Sequence, residues 1–283
     1  MIDSILANYH CHSRFDDGHG ELEDYARAAV DRKLRTLGFA GHAPLPFACD
    51  WTIPSPLLPE YLETARRLKN SYQGKLEVLV GLEVDYIPEI IAPTAAHIQA
   101  LKLDFTVGSV HFVGRLATGE LWTADGPPDE LERGVAQSFG GDVRGAVEEY
   151  YRRMTAMVST AAPDIIGHFD IIKKNNRSGR YFREDAHWYR SAVTRALDAV
   201  AASPCILEIN TGGIVRNTSG ALYPSEWILA ECCKREIPVM INSDAHRPEQ
   251  LDGYYGEAVA ILKEIGFREL TQIGREGRRR LAL

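Results

Sequence analysis

The 283-residue sequence has few cysteines and no long apolar run. Its five cysteines are odd in number and include no Cys-X-X-Cys pair. This usage indicates a reduced, cytoplasmic chain and excludes a disulfide framework. No apolar run reaches the ~20 residues that a membrane-spanning helix needs. The first residues lack a basic start followed by an apolar core, so we expect no secretory leader and no membrane partner.

The chain also has no excess of basic residues. The chain has 39 acidic and 32 basic residues, which gives a formal net charge of -7. This balance argues against nonspecific nucleic-acid binding, although it leaves room for a local basic pocket. The hydrophobic fraction of 45% and the charged fraction of 25% are near the globular average. Disorder, collagen-like repeats and coiled coil are therefore excluded as the main organisation.

Strand-like and helix-like apolar segments alternate along the chain. The predicted strands are Leu6–Tyr9, Leu37–Ala40, Leu76–Tyr86, Phe105–Val113, Ile165–Phe169, Cys205–Asn210 and Val239–Asn242. The predicted helices are Glu21–Leu34, Pro59–Tyr72, Ala92–Leu101, Asp142–Thr160, Ala186–Ala202, Ser225–Lys234 and Gly256–Ile265. This alternation predicts an α/β fold with a parallel sheet, and the number of units fits a (β/α) barrel. We expect a single domain over residues 1–283, with a loop insertion around 114–141.

Histidines and carboxylates follow the ends of these predicted strands. In chain order they are His10, His12, His42, Glu83, Asp85, His111, His168, Glu208, Asp244 and His246. A (β/α) barrel places its active residues just after the strands, at one face. A lone histidine after a strand is usually structural, but the same residue type after five strands of one array predicts a metal site. The helical His97 and His187 are expected to be structural.

The spacing within the clusters supports metal binding. Residues two apart in a strand point the same way, so His10 and His12 can serve one cation, and Asp244 and His246 form a second pair. Histidines and carboxylates without thiolate pairs suit zinc, manganese or iron. The number of candidates exceeds what one tetrahedral ion needs, which indicates two or three ions.

Short motifs around these residues resemble the PHP family (polymerase and histidinol phosphatase). They are His10-Cys11-His12-Ser13 with Asp17-Gly18, Gly41-His42-Ala43-Pro44, Gly81-Leu82-Glu83, Gly108-Ser109-Val110-His111-Phe112, Ile166-Gly167-His168-Phe169-Asp170 and Asn242-Ser243-Asp244-Ala245-His246. They occur in the family's order over most of the chain. The longer strings GHAPLPF, GSVHF, IGHFDIIKKN and EINTGG resemble its histidinol-phosphate phosphatase branch.

The resemblance implies a distorted (β/α)7 TIM-like barrel with three divalent ions at the carboxyl ends of the strands. The implied ligands are His10, His12, Glu83 and Asp244 for the first ion, Glu83, His111 and His168 for the second, and Asp17, His42 and His246 for the third. Some members of the family have a histidine where this chain has Asp17. His19, two residues further on, is therefore an alternative loop ligand, or it meets the substrate or solvent.

Such a cluster is suited to phosphate-ester hydrolysis. Divalent ions can ionise a bridging water for in-line attack on phosphorus and neutralise the phosphate. A residue of the Asp244/His246 pair would protonate the leaving alkoxide. Arg216 is the preferred phosphate donor, since a guanidinium binds phosphate bidentately. Further cationic candidates are Lys173, Lys174, Arg177 and Arg180.

An imidazole-bearing amino alcohol would need a carboxylate for its ammonium group and an aromatic ring for stacking. The carboxylate candidates are Asp50, Asp85, Glu120 and Asp125, and the aromatic candidates are Phe47, Trp51 and Trp122. The sequence does not choose among them.

The leading hypothesis is a histidinol-phosphatase of histidine biosynthesis that hydrolyses L-histidinol phosphate, with a small phosphate ester as its partner. The alternatives are a related phosphoesterase for another small phosphate ester or nucleic-acid ends, an amidohydrolase-type barrel that hydrolyses C–N bonds, and an inactive barrel that only binds. The sixth strand ends in Glu208 and Asn210, where an amidohydrolase would have a histidine, and this disfavours the amidohydrolase-type barrel. The inactive barrel is disfavoured because every matched ligand position is filled. The metal identity and the oligomeric state are left open.

Overall fold

A computed structural model describes residues 7–283 of the chain. The predicted first strand, Leu6–Tyr9, begins one residue outside the described part, and the first six residues, on which the prediction of no leader partly rests, also lie outside it. Within residues 7–283, no helix is both long enough and apolar enough to cross a membrane.

Seven parallel strands form the central sheet. They are β1 (Ala7–Asn8), β2 (Thr36–Phe39), β3 (Glu77–Asp85), β4 (Phe105–Ser109), β7 (Ile165–Ile166), β8 (Ile206–Asn210) and β9 (Val239–Asn242), in that spatial order. The barrel closes after β1 and β9, where Ala245 N donates to His10 O at 3.1 Å and His12 N donates to Ala245 O at 2.8 Å. The predicted (β/α) barrel is therefore confirmed, and a single parallel bridge between Cys11 and Ala245 closes it.

Helices cover the outside of the barrel. They are α1 (Leu22–Asp31), α2 (Leu58–Ser71), α3 (Ala96–Gln99), α4 (Pro128–Phe139), α5 (Val143–Thr160), α6 (His187–Ala201), α7 (Gly212–Val215), α8 (Glu226–Lys234) and α9 (Tyr255–Ile265). Most predicted helices are observed within a few residues of their bounds. The predicted helix Ala92–Leu101 is wrong in length, because residues 92–95 form turns before the single turn of α3.

The strands are buried on both faces, as expected for a parallel sheet covered by helices. Inside the barrel, Phe105 packs where two neighbouring strands carry glycine. A Cβ added at Gly38 or Gly81 would lie 2.7 Å or 2.6 Å from its ring. These glycines therefore make room for the aromatic side chain at the centre of the barrel.

The sequence had predicted a loop insertion around 114–141. The structure instead has regular secondary structure in most of this stretch. The predicted strand Phe105–Val113 ends at Ser109, and the chain then forms the antiparallel hairpin of β5 (Phe112–Arg115) and β6 (Leu121–Thr123), followed by α4. Trp122 explains this order, because its buried ring packs against Gly134 of α4 and its Nε1 donates to Ser138 Oγ at 2.8 Å. This local core could not be predicted, because the sequence of the stretch is acidic and contains prolines, as loops commonly do.

A second hairpin, absent from the prediction, ends the chain. It consists of β10 (Glu269–Gly274) and β11 (Gly277–Ala282). It covers the amino-terminal end of the barrel, where Tyr9 Oη donates to Ile273 O at 2.7 Å and Ile273 joins the internal apolar cluster. The opposite, carboxyl end of the strands remains available for a site.

Candidate metal centre

The predicted ligand residues converge at the carboxyl end of the barrel. Seven of them are buried, namely His10, His12, His42, Glu83, His111, His168 and Asp244. Asp17 and His246 lie at the rim, with side chains 34% and 19% exposed. Parallel strands bring their carboxyl ends together, so residues distant in sequence meet here.

Glu83, on β3, lies at the centre of the cluster. Its Oε2 is 3.0 Å from His42 Nδ1, 3.2 Å from His10 Nε2 and 3.6 Å from His12 Nε2. Its Oε1 is 2.9 Å from His168 Nε2 and 3.7 Å from His111 Nε2. One carboxylate thus faces two sets of imidazoles, which is the arrangement that a bridging ligand requires.

A second group of contacts joins the cluster to its rim. Asp244 Oδ1 is 3.2 Å from His12 Nε2 and 3.8 Å from His10 Nε2. Asp17 Oδ2 is 3.1 Å from His246 Nε2, and Asp17 Oδ1 is 3.6 Å from His12 Nδ1. Asp17 therefore faces the cluster, whereas His19 belongs to none of the candidate ligand groups found among residues 7–283.

Four sets of three side chains have ligand atoms close enough together to share an ion. They are His10/His12/Glu83, His10/His168/Asp244, His12/Asp17/His246 and His42/Glu83/His111. His42 groups with Glu83 and His111 through Nδ1, and its implied assignment beside Asp17 and His246 stays a prediction. Its ring orientation directs Nδ1 at Glu83 and places Nε2 3.9 Å from Asp17.

Several buried polar atoms of the cluster have no hydrogen-bond partner. They are His10 Nε2, His12 Nε2, His42 Nδ1, His168 Nδ1 and Glu83 Oε2. Buried polar atoms are costly unless they are paired. All but His168 Nδ1 are also among the close nitrogen–carboxylate contacts of the cluster. Imidazole nitrogens and carboxylate oxygens are the donors that divalent ions prefer, so the site fits divalent metal binding.

Three further carboxylates orient the imidazoles from behind. His10 Nδ1 contacts Glu208 Oε1 at 2.7 Å, His12 Nδ1 contacts Asp16 Oδ2 at 2.7 Å, and His111 Nδ1 contacts Asp85 Oδ1 at 2.9 Å. Such partners fix the ring and leave the other nitrogen for a metal ion. Asp16 was not predicted as a site residue, and its only signal in the sequence is its position beside Asp17.

The carboxylates also control the charge of the cluster. Burial lowers the pKa of the His10 imidazole, but Glu208, Glu83 and Asp244 outweigh this and raise it well above 6.5. Burial is likewise outweighed at His12 by Asp16, and at His111 by Asp85, so that each pKa rises to about 10. The metal-free cluster therefore attracts positive charge strongly.

A cavity of about 1260 Å³ opens over the cluster. Trp51 forms part of its wall, with its ring 4.7 Å from that of His42 and 5.3 Å from that of His111. Phe47, Asp50, Glu120 and Asp125 also line it. Two other candidates do not, because Trp122 is buried against α4 and Asp85 is engaged by His111.

The cationic candidates occupy three different environments. Arg216 lines the cavity, where its Nη2 is 2.9 Å from Asp244 Oδ2 and its Nη1 contacts His246 Nδ1 at 2.8 Å. Lys174 also lines the cavity, and its Nζ pairs with Asp125 at 3.2 Å. Arg180 Nη2 instead pairs with Glu132 at 2.9 Å, in an exposed ion pair.

Lys173 and Arg177 lie outside the cavity lining, so their prediction as phosphate ligands needs correction. Lys173 is buried, and its Nζ pairs with Asp170 at 2.8 Å. Arg177 donates to Asn217 O at 2.7 Å. Both cations thus bind protein groups behind the cavity wall.

Comparisons with known proteins agree with this geometry. A family model described as PHP domain matches residues 8–212. The chain is 30% identical over 267 residues to a Bacillus subtilis protein named histidinol-phosphatase, covering 88% of this chain and 96% of that protein. It is 29% identical over 270 residues to a Deinococcus radiodurans protein named "Probable histidinol-phosphatase", covering 94% and 96%.

A solved structure shows the same fold. The histidinol phosphate phosphatase of Lactococcus lactis, complexed with zinc, L-histidinol and phosphate, is similar with a TM-score of 0.73. The match has 18% sequence identity and covers 97% of this chain and 99% of that chain.

Proposed function

The chain belongs to the PHP domain family, and we propose that it is a histidinol-phosphatase, which hydrolyses L-histidinol phosphate to L-histidinol and phosphate in the cytoplasmic biosynthesis of histidine. The names of relatives at about 30% identity over most of the chain support this substrate. The observation that carries the proposal is the convergence of Glu83 and its surrounding imidazoles beneath a cavity that Arg216 also lines.

The proposed site holds three divalent ions, of zinc, iron or manganese. Glu83 would bridge two of them, and His12, Asp17 and His246 would serve the ion at the rim. When bound, such ions supply Lewis acidity and an activated water to phosphate-ester hydrolysis. Glu208, Asp16 and Asp85 keep the imidazoles in the orientation that this binding needs.

Arg216 is the proposed phosphate ligand. Its guanidinium has five N–H donors and engages Asp244 and His246 with only part of them. The remaining donors can bind phosphate oxygens as charge increases on them. Lys174, which also lines the cavity beside Asp125, is a further cationic donor of the wall.

Asp244 is a poor candidate to protonate the leaving alkoxide. Burial raises the pKa of the Asp244 carboxyl, but Arg216 and the neighbouring imidazoles outweigh it and hold that pKa well below 3.8. Asp244 therefore stays ionised at neutral pH and serves as a ligand and a partner of Arg216. His246 lies at the rim, 19% exposed, where a substrate can reach it, but as a ligand of the rim ion it would have no proton to give through Nε2.

The cavity size favours a second candidate, a phosphatase for a larger phosphate ester. Ligand pockets usually enclose about 300–1,000 Å³, whereas this cavity has about 1260 Å³. L-Histidinol phosphate would leave part of that space to water.

A substrate panel tests both candidates. Phosphate release is measured from L-histidinol phosphate, sugar phosphates, nucleotides and an aryl phosphate, with metal-loaded protein and with chelator. We expect kcat/KM for L-histidinol phosphate to exceed the others by at least about a hundredfold, since a site built to hydrogen-bond polar groups of its substrate rejects analogues that lack them. Equal, low rates across the panel would contradict the proposed substrate, and a higher value for a larger ester would favour the second candidate.

A further inference from the structure

The segment that presents Arg216, residues 211–225, is here called the Arg216 loop. It leaves the barrel at Asn210 and returns at Tyr223, whose backbone exchanges two hydrogen bonds with Asn210, at 2.7 and 3.0 Å. Arg216 follows the single-turn α7 and lies between these two points. The backbone position of Arg216 therefore depends on the contacts that hold this loop, while its guanidinium is also held by Asp244 and His246.

Arg177 binds the loop beside Arg216. Its Nη2 donates to Asn217 O at 2.7 Å and to Asn217 Oδ1 at 3.0 Å. Asn217 has a φ of 51°, in the left-handed region that a non-glycine residue seldom adopts. The guanidinium thus stabilises an otherwise unfavourable turn directly after the proposed phosphate ligand.

Lys173 binds the far end of the same loop. Its Nζ donates to Leu222 O at 2.8 Å and to Ser225 Oγ. The ammonium group is compensated by Asp170, whose Oδ2 lies 2.8 Å away and also accepts from Ser225 N at 2.9 Å. The Lys173 side chain is only 4% exposed, so this ion pair is buried.

Both cations come from the segment that follows His168. Asp170 is two residues beyond that imidazole, and Lys173 and Arg177 follow within the next seven residues. The segment therefore connects one side of the metal cluster to both ends of the Arg216 loop. A change in either cation should move the guanidinium without removing any metal ligand.

We propose that Lys173 and Arg177 are positioning residues that hold the Arg216 loop so that Arg216 is directed into the cavity to bind phosphate. This inference rests on the proposed role of Arg216. It gives a function to two cations that the sequence had indicated as phosphate ligands and that the structure places behind the wall.

The test measures binding of inorganic phosphate by calorimetry, and KM and kcat with an aryl phosphate, on metal-loaded protein. Arg177 is exposed, so Arg177→Ala should leave folding intact. In this variant phosphate binding should weaken about three- to tenfold, and KM should rise with a smaller change in kcat. Arg177→Lys should restore part of the loss. Arg180→Ala, an exposed arginine of the same segment, is the matched control and should stay within twofold.

Lys173→Met removes the buried ammonium and should weaken phosphate binding more than Arg177→Ala, with unchanged metal content. Thermal melting shows whether this variant is folded. If it is unfolded, the result for Arg177→Ala alone decides whether the positioning role holds. Phosphate affinity and KM within twofold of the wild type in Arg177→Ala would overturn the inference, as would loss of metal together with phosphate affinity in a folded Lys173→Met. Because neither probe is L-histidinol phosphate, these results do not depend on the proposed substrate.

Discussion

His10 Nδ1 lies 2.7 Å from Glu208 Oε1, and both side chains are fully buried at the carboxyl end of the barrel. The same carboxylate accepts a hydrogen bond from His168 N through Oε2, at 2.7 Å. One residue on β8 thus fixes two candidate ligands that follow two other strands, β1 and β7. The geometry of the cluster depends on residues that do not themselves bind an ion.

Glu208→Gln should weaken metal binding without unfolding the barrel. The amide keeps the size of the side chain but loses the charge that orients His10, and removing such a partner costs about 10–100-fold in affinity. Metal content after dialysis against a weak chelator, followed by thermal melting, measures the effect. Glu257→Gln, an exposed position on α9, is the control. Full metal retention in Glu208→Gln would contradict this role.

Arg216→Ala should raise KM for a phosphate ester at least about tenfold, because a charge-assisted contact is lost. Arg216→Lys should recover only part of this affinity, since an ammonium group cannot bind phosphate bidentately. Steady-state kinetics on metal-loaded protein checks both variants. The exposed Arg67→Ala on α2 should match the wild type. An unchanged KM and kcat in Arg216→Ala would exclude the phosphate role.

Metal binding should release protons and strengthen as pH rises. In the metal-free protein the pKa values of His12 and His111 are raised to about 10, so both imidazoles are protonated at pH 8. The incoming ions have to displace these protons, at least about two per chain, since the pKa of the His10 imidazole is raised as well. Calorimetry of zinc binding in buffers of different ionisation enthalpy counts them.

The control for this titration is His111→Asn, which should release about one proton fewer. Because the raised pKa values favour protonated imidazoles, which compete with zinc, zinc affinity should also fall as pH is lowered from 8 to 6. Binding that is independent of pH over this interval would show that the metal-free imidazoles are already neutral.

Gly81→Ala should lower the free energy of unfolding by about 1–3 kcal/mol, the usual cost of overpacking a core. Its Cβ would lie 2.6 Å from the Phe105 ring inside the barrel. Urea denaturation measures the change, and the double variant with Phe105→Leu should recover part of it. Gly256→Ala, where an added Cβ meets no atom within 4 Å, should be neutral or stabilising. Equal stability of Gly81→Ala and the wild type would contradict this packing.

The barrel and the location of its site could be predicted from the sequence. His10, His42 and His168 each follow an apolar strand, and parallel strands bring such positions to one edge. The direction in which a side chain points is harder to predict. His42 turns Nδ1 toward Glu83, and this depends on packing that the local sequence does not record.

The roles of the cations could not be predicted for a similar reason. Lys173 and Arg177 share a loop-like, basic segment with Lys174, yet only Lys174 lines the cavity. Their partners lie 40 to 52 residues away along the chain, on the Arg216 loop. The carboxyl-terminal hairpin was missed because three consecutive arginines in β11 obscure strand alternation.

The most direct test of the account is a metal titration of the chelated protein with L-histidinol phosphate present. Zinc or manganese is added stepwise while phosphate release and bound metal are measured together. We predict no turnover without metal and a rate that saturates near three ions per chain, with Glu83→Gln losing both metal and turnover. Phosphate release at the full rate from the chelated protein, or none from the metal-saturated protein, would contradict the account.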